Sequence, residues 1–176
     1  DFTLDRISNG TGEVSKHNYN ALKRLKLKGN YQIPTLAQVL ALIDNKCLLN
    51  IELKGNDTAK EASRLITFYV DKKGWDYKNL IVSSFQKNLL ESVYNSNKKI
   101  PLGVLNDTNL NTAVAIAERV EAVSIHLEYT MLTQEIVEEL QEKYKVITYT
   151  VNNLKPIARI QSYGVDGIIS DFPDRL

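Results

Sequence analysis

The feature that most constrains the fold is the regular alternation of short apolar runs with longer helical patterns. From Ser84 onward the apolar runs end about every 22 residues, which is the length of one strand–helix unit. Six runs rich in Val, Ile and Leu predict strands at 47–53, 80–85, 101–105, 122–127, 145–151 and 165–170. Helical patterns lie near 58–73, 86–96, 109–119, 133–144 and 153–163. Continuous apolar strands that alternate with helices predict a parallel sheet in an α/β fold.

The ends of the helical patterns agree with this reading. Thr58, Thr133 and Asn153 are suitable N-caps, and Gly74 and Gly164 stand where helices should end. Residues 1–33 are polar and contain Gly and Asn, so they predict an excursion across one end of the sheet. Thr35 should then cap a helix that ends near Asp44. We find no linker or low-complexity tract and predict one domain, residues 1–176.

Composition excludes several classes of protein. The formal net charge of +1 and 24% charged residues give no basic surface for nucleic acid or an anionic membrane. No apolar run approaches the roughly 18 residues needed to span a bilayer. The single cysteine, Cys47, excludes an internal disulfide, and we expect its side chain to be a small core residue.

The strand at 47–53 ends in the sequence Asn50-Ile51-Glu52-Leu53-Lys54. Glu52 and Lys54 are two residues apart, so both side chains point to the same side of the strand. A carboxylate is a ligand for a hard divalent cation, and an ammonium is a point charge for phosphate. A surface ion pair is the simpler interpretation of such a pair.

Seven short motifs, which occur in one fixed order, favour a functional role for Glu52 and Lys54 over a surface ion pair. They are Asp1-Phe2-Thr3-Leu4-Asp5-Arg6, Asn9-Gly10-Thr11-Gly12, Ile33-Pro34-Thr35-Leu36, Asn50-Ile51-Glu52-Leu53-Lys54, Ser83-Ser84-Phe85, Tyr149-Thr150-Val151-Asn152 and the segment from Gly164 to Pro173. Together they resemble the glycerophosphodiester phosphodiesterase family. The resemblance implies a TIM (β/α)8-type barrel, of which this chain holds about six of the eight βα units. It also implies an enzyme, a phosphoric diester hydrolase that depends on Mg²⁺ or Ca²⁺ and forms glycerol 3-phosphate and an alcohol from small glycerophosphodiesters.

The resemblance also implies roles for residues of this chain. Glu52 would be a metal ligand, and Lys54 would bind a phosphate oxygen and stabilise the transition state. Family members carry two catalytic histidines and two more metal carboxylates in a segment that would precede Asp1. On this reading we expect the first two barrel strands to lie upstream and residues 1–176 alone to be inactive. The open sheet edges would then favour an oligomer or docking of that segment in trans.

Three further residues are candidates for contact with substrate. Tyr149 stands where the family more often has Trp, and we expect its ring to line the head-group pocket with the hydroxyl in water. Phe85 would shape the pocket, with core packing as the alternative. His126 ends a predicted strand and would line the pocket or support it, although neither His126 nor His17 is expected to act as acid or base. Arg6 would anchor the amino-terminal excursion through Asp1 or Asp5.

Three functions remain open at this stage. The first is hydrolysis of glycerophosphodiesters in phospholipid turnover, in the cytoplasm. The second keeps the barrel but cleaves lysophospholipids as a phospholipase D does, for which an apolar channel beside the pocket would be the sign. The polar loop 106–109 argues against that channel. The third is an inactive remnant that acts as an interaction protein.

Overall fold

A computed structural model describes residues 1–176, and its centre is a single sheet of six parallel strands. The strands are β1 (Leu49–Glu52), β2 (Leu80–Ser84), β3 (Leu102–Asn106), β4 (Ser124–Glu128), β5 (Lys145–Tyr149) and β6 (Gly167–Ile168). They pair in the order in which they occur in the chain, β1-β2-β3-β4-β5-β6. The sheet does not close on itself, because β1 and β6 are its two edges. This confirms the predicted α/β fold as a partial TIM-type barrel.

A helix connects each pair of neighbouring strands, as parallel pairing of consecutive strands requires. The helices are α1 (Tyr19–Arg24), α2 (Leu36–Ile43), α3 (Thr58–Lys73), α4 (Lys87–Ser96), α5 (Leu110–Arg119), α6 (Gln134–Gln141) and α7 (Leu154–Ser162). Alternate strand residues such as Leu80, Val82 and Val104 pack against these helices in a cluster of 26 buried hydrophobic residues. No helix is both long and apolar enough to cross a membrane.

The predicted helix caps are confirmed in part. Thr35 caps α2 through a capping box with Gln38, and the Thr133 hydroxyl accepts a hydrogen bond from the Ile136 N–H. Asn153 occupies the N-cap position of α7 but forms no side-chain cap. The prediction for Thr58 is wrong, since the N-cap of α3 is Asp57 and the Thr58 hydroxyl donates to the Gly55 carbonyl at 2.7 Å.

The prediction for Cys47 is also wrong, because its side chain is exposed. Strand β1 begins only at Leu49, two residues later than predicted. Asp44 and Asn45 both have positive φ, so the chain reverses after α2 and Cys47 lies in the turn. The apolar run that begins at Cys47 is therefore not buried at its first residue.

The amino-terminal excursion has little regular structure. Three isolated antiparallel bridges hold it together, Thr3 with Glu13, Ser8 with Leu27 and Lys26 with Gln32. Arg6 contacts Asp1 at 2.7 Å as expected, whereas Asp5 instead accepts a hydrogen bond from the Gly12 N–H. This excursion brings Asp1 and Phe2 to the carboxyl ends of the strands, where they line a cavity with residues that follow β1.

Candidate active site

A cavity of about 640 Å³ opens at the carboxyl ends of β1, β2 and β3. Nine residues line it: Asp1, Phe2, Glu52, Leu53, Lys54, Asn56, Phe85, Gln86 and Asp107. In parallel α/β proteins this end of the sheet carries the active site, because each strand delivers its last residues to a loop there. The cavity therefore joins the sequence-predicted Glu52, Lys54 and Phe85 in one place.

Lys54 is the only basic side chain on the cavity wall. Its ammonium lies 3.5 Å from a carboxylate oxygen of Glu52 and 3.4 Å from one of Asp1. The side chains of Lys54 and Glu52 are each about one-third exposed. The predicted pair on one side of the strand is thus present, and a second carboxylate, Asp1, joins it.

The backbone around Lys54 is fixed by the strand beside it. The buried Ser84 hydroxyl donates to the Leu53 carbonyl at 2.7 Å, and the Gln86 side-chain amide donates to the Lys54 carbonyl. Ser84 also accepts a hydrogen bond from the Gln86 N–H. These contacts hold the loop after β1 against the end of β2, so the Lys54 side chain starts from a defined position.

Phe85 lies on the cavity wall, and its side chain is 44% exposed. Its ring meets that of Tyr149 edge to face, with the ring centres 5.7 Å apart. Tyr149 does not itself reach the cavity wall. Contrary to expectation, its hydroxyl is buried and has no hydrogen-bond partner. Burial raises the pKa of the Tyr149 phenol, and the carboxylates of Asp107, Glu128 and Glu52 raise it further.

His126 is fully buried inside the curved sheet and does not line the cavity. Its Nε2 lies 2.9 Å from the Ser124 hydroxyl, and its Nδ1 has no partner. A Cβ atom at Gly103 would meet Nε2 at 2.5 Å, so this glycine makes room for the imidazole. Burial lowers the pKa of His126 to about 4, which keeps the ring neutral at ordinary pH. The expected contact between His126 and substrate is therefore not met in this structure, because the side chain points across the sheet interior.

His17 is far from a catalytic arrangement. It is exposed in the amino-terminal excursion, and its Nε2 lies 3.1 Å from the Thr11 carbonyl oxygen. Like His126 it is absent from the cavity wall. The structure thus brings together Glu52, Lys54 and Phe85 and leaves Tyr149 and His126 behind that surface.

Three cavity residues were not singled out from the sequence, Asn56, Gln86 and Asp107. Asp107 was noted only as part of the polar loop 106–109. It follows β3 directly, as Phe85 follows β2. The position directly after each predicted parallel strand was the signal in the sequence that could have identified Asp107.

The residues of this chain do not by themselves form a metal centre. No three His, Cys, Asp or Glu side chains are arranged to hold an ion. Glu52 supplies one carboxylate group, and the Lys54 ammonium already lies beside it. Hard divalent cations in proteins take six or more oxygen ligands, several of which must come from elsewhere if Glu52 is one of them.

Curated relatives of this chain carry the name glycerophosphodiester phosphodiesterase. A glycerophosphodiester phosphodiesterase of Caldanaerobacter subterraneus is 31% identical over all of this chain and 76% of its own length. One from Bacillus altitudinis is 29% identical over 99% of this chain and 76% of its own.

Solved structures show the same fold. A phosphodiesterase from Oleispira antarctica, solved with the product sn-glycerol 3-phosphate, matches 99% of this chain and 75% of its own with a TM-score of 0.85 at 24% identity. A glycerophosphodiester phosphodiesterase from Agrobacterium tumefaciens has a TM-score of 0.77 at 22% identity and matches 99% of this chain and 77% of its own. The model of the glycerophosphoryl diester phosphodiesterase family matches residues 1–175, and the chain belongs to that family.

Proposed function

We propose that this protein hydrolyses glycerophosphodiesters to glycerol 3-phosphate and an alcohol, as part of phospholipid turnover. The observation that carries the proposal is the Lys54 ammonium on the wall of a cavity at the carboxyl ends of the strands. Relatives of this chain are named for the same reaction, and the Oleispira antarctica structure contains its product. In the overall reaction one water is consumed, and the ester bond between phosphorus and the alcohol oxygen breaks.

Lys54 would bind a non-bridging oxygen of the phosphodiester. Negative charge builds up on these oxygens in the transition state, and a fixed ammonium nearby stabilises it. Glu52 and Asp1 lie 3.5 and 3.4 Å from that ammonium, so they restrict its position before substrate arrives. Phe2, Leu53 and Phe85 supply the apolar part of the cavity wall.

Proton transfer is not assigned to either histidine of the chain. His126 is buried and neutral below the site, and His17 is exposed away from it. A general acid or base must come within hydrogen-bond reach of the group that it serves. Neither imidazole lies on the cavity wall.

Dependence on Mg²⁺ or Ca²⁺ stays a prediction, with Glu52 as one ligand. It requires ligands in addition to Glu52, and no step proposed above passes through a metal. The open edges at β1 and β6 are where a further segment or a second copy would pair, and that pairing is likewise a prediction.

The lysophospholipid alternative is favoured less by the shape of the site. A phospholipase D acting on such a lipid needs a long apolar channel for the acyl chain. Only three of the nine cavity residues are hydrophobic, and Asp107 lies on the side away from β1. These features suit a small polar diester better.

The proposal is tested by measuring release of glycerol 3-phosphate with a coupled dehydrogenase assay, on the protein in its natural length. Lys54→Ala should lower kcat about 10²-fold, the scale of losing one electrostatic contact in the transition state. The matched control is Lys155→Ala, on the exposed face of α7, which forms no ion pair. A rise in KM with unchanged kcat would contradict the transition-state role of Lys54. Absence of hydrolysis by the unmodified protein, with every metal tried, would refute the proposed function.

A further inference from the structure

The charges of the chain are distributed unevenly along its sequence. Residues 14–43, called here the basic segment, contain five basic residues and no Asp or Glu. The five are Lys16, Lys23, Arg24, Lys26 and Lys28. The other residues of the chain carry 17 basic and 21 acidic side chains, a net charge of −4. The formal net charge of +1, from which we expected no basic surface, therefore combines a strongly basic segment with an acidic remainder.

The five cations of the basic segment have no carboxylate partners within the protein. None of them forms an ion pair, whereas basic side chains elsewhere pair with carboxylates, as Arg64 does with Glu61. Four of the five residues are exposed, and Lys26 is partly buried. Like charges that lie close together repel one another, so an approaching anionic surface stabilises such a cluster.

A groove lies beside these cations. Tyr19 and Lys23 are four residues apart on α1, so their side chains lie on the same side of that helix. Both line a groove of about 210 Å³ between α1 and α2. The other residues that line it are Gln32, Ile33, Pro34, Gln38, Val39 and Leu42.

A tight turn places further cations next to the groove. Lys26 and Gln32 form an antiparallel bridge, and the Leu27 N–H donates to the Tyr31 carbonyl at 2.8 Å. Residues that face each other in such a bridge project to the same side. Because Gln32 lines the groove, Lys26 lies beside it. Gly29 has a φ of 79°, which allows the chain to reverse between them.

Large apolar side chains are exposed among these cations. Tyr19 is 57% exposed, Tyr31 is 71% exposed and Leu42 is 82% exposed. Tyrosine rings favour the boundary between lipid and water, where the ring is apolar and the hydroxyl stays wet. Lysine and arginine can lay their stems along an apolar surface while the charged ends reach phosphate groups. The phosphates of a nucleic acid would match the cations but would leave Leu42 in water.

We infer that the basic segment is a docking surface for a membrane of anionic phospholipids. Its cations contact the lipid phosphates, and the exposed rings of Tyr19 and Tyr31 enter the head-group layer. Basic residues combined with exposed aromatic and aliphatic side chains are typical of surfaces that lie on a membrane without crossing it. The inference does not depend on the reaction in the cavity.

The test is flotation of the protein, in its natural length, with lipid vesicles. Vesicles of equal parts phosphatidylglycerol and phosphatidylcholine should carry the protein at about 0.05 M salt, and vesicles of phosphatidylcholine alone should not. Salt at about 0.5 M should release the protein, because it screens the attraction. Lys23→Gln combined with Arg24→Gln should lower the partition coefficient about tenfold or more, since each basic residue near an anionic membrane contributes about fivefold. Tyr31→Ser should lower it by a smaller factor, about threefold, because only an apolar contact is lost.

The matched control is Lys72→Gln combined with Lys73→Gln. Both pairs are the basic residues in the last turn of a helix, α1 in one case and α3 in the other, so only their position on the molecule differs. The control should bind the anionic vesicles as the unmodified protein does. An unchanged midpoint of urea unfolding shows that a variant is folded, and Lys16→Gln combined with Lys28→Gln repeats the test outside α1.

Three results would overturn the inference. The first is equal partition onto both kinds of vesicle, or an equal loss of binding in the α1 and α3 variants. The second is tighter binding to duplex DNA than to the anionic vesicles at the same salt, which would make a nucleic acid the partner. The third is displacement by soluble glycerophosphoglycerol at the concentration of the lipid head groups, which would assign the binding to the cavity. Persistence of vesicle binding in its presence supports the membrane surface as the ligand.

Discussion

The middle and the edges of the sheet differ in burial. All five residues of β2 are buried, as are four of five in both β3 and β4. No residue of β1 or of β6 is buried. Yet Glu52 and Lys54, the residues with the strongest claim to chemistry, lie on or directly after edge strand β1. In this structure the charged site therefore lies at the less buried side of the sheet.

The largest expected effect concerns Glu52, on edge strand β1. Glu52→Gln should lower turnover about 10³-fold, because it removes both the charge beside Lys54 and the predicted cation ligand at constant volume. The free energy of unfolding should change by less than about 0.5 kcal/mol, since the side chain is one-third exposed. Steady-state kinetics and urea unfolding on the same preparation measure both. Glu139→Gln on α6 is the control, and equal activity of the two variants would contradict the role of Glu52.

A buried strand should respond in the opposite way. Ile125 of β4 is fully buried, and Ile125→Ala should cost about 2–5 kcal/mol of the free energy of unfolding. Ile51→Ala on β1 should cost clearly less, because Ile51 is only partly buried against the core. Chemical unfolding of both variants gives the comparison. Equal losses would mean that the edge strand supports the core as much as the middle does.

The pH dependence of stability sharpens the same contrast. His126 has a pKa of about 4 in the folded protein and about 6.5 when unfolded. Between these values the unfolded chain binds the proton and the folded chain does not, so stability falls as the pH is lowered through this window. The loss should reach up to about 3 kcal/mol below pH 4, from 1.36 kcal/mol per pKa unit.

Unfolding midpoints measured from pH 7 to pH 4 test this loss, and His126→Asn provides the comparison. The slope should be shallower in the variant, whatever its absolute stability. Identical slopes in both proteins would show that His126 is readily protonated in the fold. An NMR titration of the imidazole would report the same property directly.

The smallest effect compares two glycines. Gly103→Ala should cost about 1–3 kcal/mol, because its Cβ would lie 2.5 Å from His126 Nε2 and 2.8 Å from the Ser124 hydroxyl in a packed interior. Gly167→Ala on β6 would bring its Cβ no closer than 3.4 Å to Ile147, an ordinary contact. Its cost should stay within about 0.5 kcal/mol. Thermal unfolding distinguishes them, and a well-tolerated alanine at 103 would show that the interior around His126 can relax.

Much of the fold could be predicted because its signals are local. The pattern near 58–73 became α3 with the same bounds, Thr58–Lys73. Strand β6 is the exception, since the apolar run at 165–170 gave only Gly167–Ile168. Strand β6 pairs with β5 alone, through these two residues.

The site could be predicted less completely, because the sequence spacing does not show how close a strand residue lies to the cavity. The contact between Glu52 and Lys54 could be predicted from the two-residue period of a single strand. Whether His126 and Tyr149 reach the cavity depends on which residues of the neighbouring strands and loops lie beside them. Leu105 and Gly103 of β3 lie beside His126, and Phe85, after β2, lies beside Tyr149. The predicted burial of Cys47 was wrong for a different reason, because the chain reverses at Asp44 and Asn45 and β1 begins only after Cys47.

The order of the strands has a consequence for how the chain folds. Every neighbouring pair in the sheet is also consecutive along the chain, so no strand waits for a distant segment before it can pair. Each pairing closes a loop of one βα unit, which costs less chain entropy than pairing with a more distant segment. The sheet can therefore grow one βα unit at a time. During synthesis the chain can add each strand to an existing edge as soon as that strand emerges.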